Sequence, residues 1–141
     1  MTPNEKRFQE IYVEFQVLSS TIQQLEKQSA ALENHLLELM ATEQSLDDME
    51  NIEPGTEILV PLSAGIYAKA NIKESDNLIV NVGSNIALSK NLASTKNIIE
   101  SQINEIKKLQ ENLSQEMGVS TAKAAELEEE LNKIASSLQE K

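Results

Sequence analysis

Glu57-Ile58-Leu59-Val60-Pro61-Leu62, Ser63-Ala64-Gly65 and Ile66-Tyr67-Ala68-Lys69-Ala70-Asn71-Ile72 decide how this chain folds. After a polar break (Lys73 to Asn77) come Leu78-Ile79-Val80-Asn81-Val82, Gly83-Ser84-Asn85 and Ile86-Ala87-Leu88. Short β-branched runs bounded by Gly, Ser, Asn and Asp mark strands and turns. The spacing predicts four strands in two successive hairpins over residues 57–88. Three of the four glycines and two of the three prolines fall between Asn51 and Leu88. Gly65 and Gly83 suit the positive φ of tight connections. Pro61 has no N–H to donate, so its strand is expected at an edge or with a bulge. Leu78, Val80 and Val82 share one strand face, opposite Ile79 and Asn81. Some thirty residues in two hairpins cannot bury a core of their own, and open strand edges call for other chains. The residues expected to make those contacts are Ile58, Val60, Ile66, Ile72, Leu78, Val80, Val82 and Ile86.

Working outward, the flanks read as helices. Thr2-Pro3-Asn4-Glu5 has the form of a capping box with proline at the first helical position, and no Gly or Pro follows until Pro54. A first helix is expected over residues 3–51. Phe8, Ile11, Phe15, Leu18, Ile22, Leu25, Leu32, Leu36, Leu39 and Leu46 step alternately by three and four if Ser29 and Glu43 take two of the places. Such a sustained heptad means a coiled coil, roughly 65–70 Å long at 1.5 Å per residue.

A second helix is expected over residues 90–139, capped by Ser89 or Asn91. Its ladder reads Leu92, Thr95, Ile99, Gln102, Ile106, Leu109, Leu113, Met117, Ser120, Ala124, Leu127, Leu131, Ile134, Leu138. Two steps of four meet at Leu109-Leu113-Met117, a stutter, and Gly118 beside it weakens the helix. A bend or soft point is expected there. The fold class is therefore mainly α with small β. Two long helices form an antiparallel intramolecular coiled coil and are joined by two β-hairpins. By length the whole chain, residues 1–141, is one domain.

Composition narrows the function. There are 23 acidic against 12 basic residues, a formal net charge of −11. Phosphate binding needs a basic surface, so duplex nucleic acid is not an expected ligand. There is no cysteine and only one histidine, His35. Thiol chemistry is therefore absent, and nothing pairs with His35 at metal-site spacing. Glu126 and Glu128-Glu129-Glu130 read as a solvated helix face. No Gly-rich phosphate loop and no base beside a nucleophile is found. The expectation is a non-enzyme with no catalytic, cofactor or metal site. No apolar run approaches a membrane span or a signal peptide, so a soluble cytoplasmic protein is expected, without membrane partners.

Three of the four aromatics, Phe8, Tyr12 and Phe15, lie on one helix stripe with Ile11. Leu131, Ile134 and Leu138 approach the same end on the returning helix. These residues either pair to close the coil or leave an apolar tip open to a partner. Tyr12 and Val13 lie off the seam and are the strongest candidates for exposure. The tip set is Phe8, Ile11, Tyr12, Val13, Phe15, Leu131, Ile134 and Leu138.

Over its whole length the chain resembles an archaeal-type prefoldin α-class subunit. Leu59-Val60-Pro61-Leu62 and Gly65-Ile66-Tyr67-Ala68 are similar to the family's Val-Pro-Leu and Tyr-Val hairpin. Leu78-Ile79-Val80-Asn81-Val82-Gly83 resembles its second hairpin. The family continues Gly-x-Gly-Tyr-Tyr-Val-Glu-Lys, where this chain has Gly83-Ser84-Asn85-Ile86-Ala87-Leu88-Ser89-Lys90. Two hairpins rather than one point to the α class. The resemblance implies an ATP-independent holdase. Two α and four β subunits would join through their hairpins, and the coiled-coil tips would hold unfolded chains for transfer to a group II chaperonin. The competing reading is a structural coiled-coil adaptor that homo-oligomerises through its hairpins and binds a folded partner. A nucleotide-exchange co-chaperone would need a larger folded β domain.

Overall fold

A computed structural model of the chain describes residues 2–139. Its elements in order are α1 (Pro3–Met49), β1 (Glu57–Ser63), β2 (Ile66–Asn71), β3 (Asn77–Asn81), β4 (Ala87–Asn91) and α2 (Leu92–Gln139). The expected helix–hairpin–hairpin–helix order is therefore observed. Two boundaries move. α1 ends at Met49, after which residues 50 and 51 make a turn closed by Glu50 and Asn51 N–H groups on Asp47 and Asp48 carbonyls. Strand β4 runs on to Asn91, so α2 begins at Leu92 rather than residue 90.

The α1 start follows from four residues. Thr2 Oγ1 accepts from the Glu5 N–H at 3.2 Å, and the Thr2 N–H donates to Glu5 Oε2 at 3.0 Å. This reciprocal pair satisfies two donors that a helix start leaves open. At the start of α2, Asn91 Oδ1 accepts from the Ser94 N–H at 2.8 Å. Asn91 thus serves as the last strand residue and as the helix cap.

The chain divides into two compact units. The first joins α1 up to His35 with α2 from Ile106 onward. Arg7 meets Glu130 at 3.0 Å, and Gln110 donates to Glu33 at 3.1 Å, so the two segments run antiparallel. Their core holds Ile11, Leu127 and Leu131, with Phe8, Phe15, Leu18 and Ile134 packed around it. Each such aliphatic side chain contributes about 1.5–3 kcal/mol when fully buried. The exposed Arg7–Glu130 pair adds at most about 1 kcal/mol, so apolar packing dominates.

The second unit spans Leu36–Glu105. Its helical segments bury Leu36, Leu39, Leu46, Leu92 and Ile103, with Thr95 as a buried polar residue. The Thr95 hydroxyl donates to the Asn91 carbonyl at 2.9 Å, which removes most of the cost of burying it. Lys96 bridges Asp47, at 3.1 Å, and Glu50.

Along α2 the buried positions correct the expected ladder. Ile103 is 6% exposed, whereas Gln102 and Leu109 are exposed, Leu109 at 51%. Gln110 is half-buried in the place expected of Leu109. The two steps of four therefore meet at Thr95-Ile99-Ile103, not at Leu109-Leu113-Met117. α2 runs through Gly118 without a break in its helix. On α1 the ladder holds, except that Glu43 is exposed.

Each hairpin is a separate two-stranded antiparallel sheet. In the first, Ile58 faces Ala70, Val60 faces Ala68, and Pro61 faces Tyr67. The register slips between Pro61 and Ser63, which is the bulge that proline was expected to bring. The connection places Ala64 (φ 48°) and Gly65 (φ 81°) in the left-handed region, the type I′ geometry that matches strand twist. In the second hairpin Leu78 faces Lys90, Val80 faces Leu88, and Asn81 faces Ala87. Its connection puts Gly83, Ser84 and Asn85 all at positive φ. Asn85 stands where the resembling family has its second glycine, and asparagine is among the few side chains that tolerate this region.

Candidate protein-interaction surfaces

No residue from Glu57 to Asn91 is buried. In the second hairpin the register places Leu78, Val80 and Leu88 on one face, and the Ile86 carbonyl accepts from the Val82 N–H at 3.0 Å, extending that face. Leu78 and Val80 are half-buried, while Val82, Ile86 and Leu88 are exposed. The opposite face is polar (Asn77, Asn81, Ser89, Asn91) apart from Ala87 and Ile79, the latter 82% exposed. Ser89 donates to Asn77 Oδ1 across it.

The first hairpin carries large apolar residues on both faces. Ile58 and Val60 lie opposite Ala70 and Ala68 on one face; Leu59, Pro61 and Tyr67 share the other. Of the residues expected to make subunit contacts, Val60, Ile66, Val82 and Ile86 are exposed, and Ile58, Ile72, Leu78 and Val80 are half-buried. The sequence reasoning missed Leu59, Leu62, Tyr67, Ile79 and Leu88, all exposed. For Leu59, Tyr67 and Ile79 it took one apolar face per strand and passed over the large residues on the other. Lys69, Lys73 and Lys90 balance Glu57, Glu74 and Asp76, so the hairpin segment has no net charge, whereas α1 sets three basic residues against nine acidic ones. A neutral apolar surface with open edges is suited to protein rather than to a charged small ligand.

The expected tip set divides by burial. Ile11, 1% exposed, and Leu131 are core. Phe8, Phe15, Ile134 and Leu138 are half-buried. Tyr12 and Val13 are exposed, at 46% and 58%, as their off-seam places suggest. Val17, at 63%, extends the exposed row and was not anticipated. The Tyr12 ring stacks on Phe8 at 6.2 Å between centroids, and its hydroxyl accepts from Gln16 at 3.1 Å. A ring held on both sides is pre-set rather than free to collapse.

Two other features resolve simply. His35 is exposed. In the acidic face of α2, Glu130 pairs with Arg7 and Glu129 with Lys133. Among the described residues no group of His, Cys, Asp or Glu is placed to hold a metal ion. No helix there is long and apolar enough to cross a membrane.

Against known proteins, the model of the family described as "Prefoldin subunit" matches residues 18–137. The chain belongs to the prefoldin family. Its curated relatives include the prefoldin subunit alpha of Thermofilum pendens, 29% identical over 82% of this chain and 89% of that one. The prefoldin subunit alpha of Pyrococcus horikoshii is 30% identical over 99% of this chain and 90% of that one. Among solved structures, a chain of the filamentous PFD from Methanocaldococcus jannaschii superposes with a TM-score of 0.70. It does so over 79% of this chain and 93% of that one, at 20% identity. That likeness concerns the fold: two long helices and two small hairpins, as described above. The α-class resemblance read from Leu59 to Lys90 is therefore upheld. Prefoldin subunits are non-enzymatic chaperone components, and α subunits assemble into prefoldin complexes.

Proposed function

We propose that this chain is the α-class subunit of a cytoplasmic hetero-hexamer of two α and four β prefoldin subunits. The complex acts as a holdase without ATP or any other cofactor, and its clients pass to a group II chaperonin. The whole chain works as one prefoldin-like subunit. The observation that carries the reading is the segment from Glu57 to Asn91: nine large apolar side chains exposed, none buried, and no net charge. Surface of that kind is stable in water only when other chains cover it. Unfolded clients meet the exposed row Tyr12, Val13 and Val17, flanked by the half-buried Phe8, Phe15, Ile134 and Leu138. Ile11 and Leu131 support the row from beneath. Such distributed apolar contacts suit a varied client set.

The test is aggregation of a chemically unfolded model substrate in the presence of the assembled complex. A variant with Tyr12, Val13 and Val17 all changed to Ser is expected to keep its assembled mass and to lose most of its holding activity. Loss of the assembled mass would make these residues structural. A native mass showing only copies of this chain would favour the adaptor reading.

A further inference from the structure

One stretch of α2 has two self-consistent ways to pack. In the structure its seam runs Thr95, Ile99, Ile103, Ile106, Gln110, Leu113, Met117, with the two steps of four at Thr95-Ile99-Ile103. Ile103 is buried and Gln110 half-buried, while Gln102 and Leu109 are exposed. A seam of Thr95, Ile99, Gln102, Ile106, Leu109, Leu113, Met117 obeys the same spacing, with the two steps of four at Leu109-Leu113-Met117. Each solution seats one aliphatic side chain and one glutamine and leaves the other pair outside. Ile99, Ile106, Leu113 and Met117 belong to both. The two differ by a small rotation of α2 about its own axis and a stutter displaced from Ile99 to Leu113.

The mixed arrangements are worse than either. Seating Gln102 with Gln110 leaves no aliphatic side chain in the contested places. Seating Ile103 with Leu109 needs two successive steps of three, which overwinds the supercoil. The two solutions are therefore separate wells rather than ends of a continuum. Two contacts show what the observed well leaves open. Gln110 Nε2 donates to Glu33 Oε2 at 3.1 Å, so a polar bond rather than apolar packing holds that seam place. Beside the seam, Ala31, Leu32, Leu109 and Leu113 line an open groove of about 430 Å³. Leu109, 51% exposed, stands at its rim. The rotation that lifts Gln110 out of the seam carries Leu109 into that groove.

We propose that α2 between Ile99 and Met117 is a two-state segment. In the second state Leu109 fills the groove and Gln102 replaces Ile103 in the seam. Ile103 then becomes the apolar side chain shown to solvent. The Glu33–Gln110 bond favours the observed state. A molecule that touches Leu109 or Ile103 biases the pair, so the segment is a conformational device that moves an apolar contact point around and along α2. The proposal does not depend on the assembly reading above.

The full chain has no cysteine, so one introduced thiol reports one position. Gln102→Leu gives the second state two aliphatic seats, and Gln110→Leu gives them to the observed one. Each is read at the contested residue two helical turns away. In a chain carrying Leu109→Cys, adding Gln102→Leu is expected to slow reaction with a water-soluble maleimide at least about tenfold, the second state then being dominant. In a chain carrying Ile103→Cys, adding Gln110→Leu should slow the same reaction, and adding Glu33→Ala should quicken it. A thiol at position 109 that reacts as fast with Gln102→Leu as without it shows a single packing and overturns the proposal.

Methyl NMR of the chain carrying Gln102→Leu alone gives a second measurement free of any introduced thiol. Leucine is a strong helix former, so the variant keeps α2. The Ile103 methyl contacts to α1 are expected to vanish and those between Leu109 and Leu32 to strengthen. Ile103 contacts equal to those of the unmodified chain refute the two-state segment.

Discussion

In the unit made by the ends of the two helices, Ile11, Leu127 and Leu131 are buried and acidic side chains cover the outside. In the unit that carries the hairpins, the helical segments bury their leucines but the strands bury nothing. The helices satisfy each other within one chain; the hairpins do not. One sequence thus contains a region whose partner is already present and a region that, under the proposed function, meets its partner on another molecule. Fold stability should therefore respond to helix substitutions and assembly to hairpin substitutions.

The largest expected effect breaks that division from the hairpin side. Ile66→Asp or Val80→Asp places a charge on a surface that assembly would desolvate, an uncompensated cost of several kcal/mol. The variant chain is expected to keep its helical circular dichroism while its complex disappears on native mass spectrometry. Loss of helix together with the complex would mean that the hairpins also hold the helices in place.

From the helix side, Ile11→Ala removes the most deeply buried side chain. The expected cost is about 2–5 kcal/mol, read as a lower thermal midpoint of the assembled protein with unchanged subunit stoichiometry. A midpoint within error of the unmodified protein would show that the Ile11–Leu127–Leu131 cluster contributes little.

A smaller effect lies in the first hairpin turn. Ala64 holds φ 48°, which costs an ordinary side chain roughly 1–2 kcal/mol. Ala64→Gly or Ala64→Asn relieves that strain, and the hairpin should gain up to about 1 kcal/mol. Slower amide exchange at Val60 and Ala68, a bonded pair, would show it. A loss instead would imply that the Ala64 methyl group makes a contact in the assembly.

The helix ends and strand alternation were legible because local chemistry decides them. Thr2 and Glu5 cap each other whatever the rest of the chain does, and Leu78, Val80 and Val82 share a face because strands alternate. The α2 ladder was legible only up to its phase. Gln102-Ile103 and Leu109-Gln110 each offer an apolar residue beside a polar one, so either phase reads acceptably on a single helix. The facing helix selects Ile103 and Gln110, information that no periodicity in α2 contains. Ser89-Lys90-Asn91 looked like a helix start, but the pairing of Asn77 with Asn91 carries the strand through it. Among the surfaces, the tip row was visible as off-seam residues. Leu59, Tyr67 and Ile79 were not, because a residue on the second face of a strand has no local sign of what will cover it.

The smallest effect concerns the ion cluster that ties α1 to α2 in the hairpin unit. α1 ends with Asp47 and Asp48 and no basic residue in its last turn, and α2 begins with no acid in its first. The acidic end of α1 opposes its helix dipole, and the start of α2 lacks the acid that would complement its own. Lys96, donating to Glu50 and Asp47, offsets the negative charge at the α1 end from across the pair. The Glu50 hydrogen bond, against the opposing pull of burial and with Asp47 adding to it, raises the Lys96 ammonium above its ordinary value of 10.5. A raised folded-state value means that this contribution is fully present below the unfolded value. It is lost as pH climbs through the folded value. Lys96→Gln should therefore lower the thermal midpoint by the same small amount across neutral and mildly alkaline pH. The gap between variant and unmodified protein should close only above pH 10.5. A gap that closed nearer neutrality would assign the stabilisation to another group.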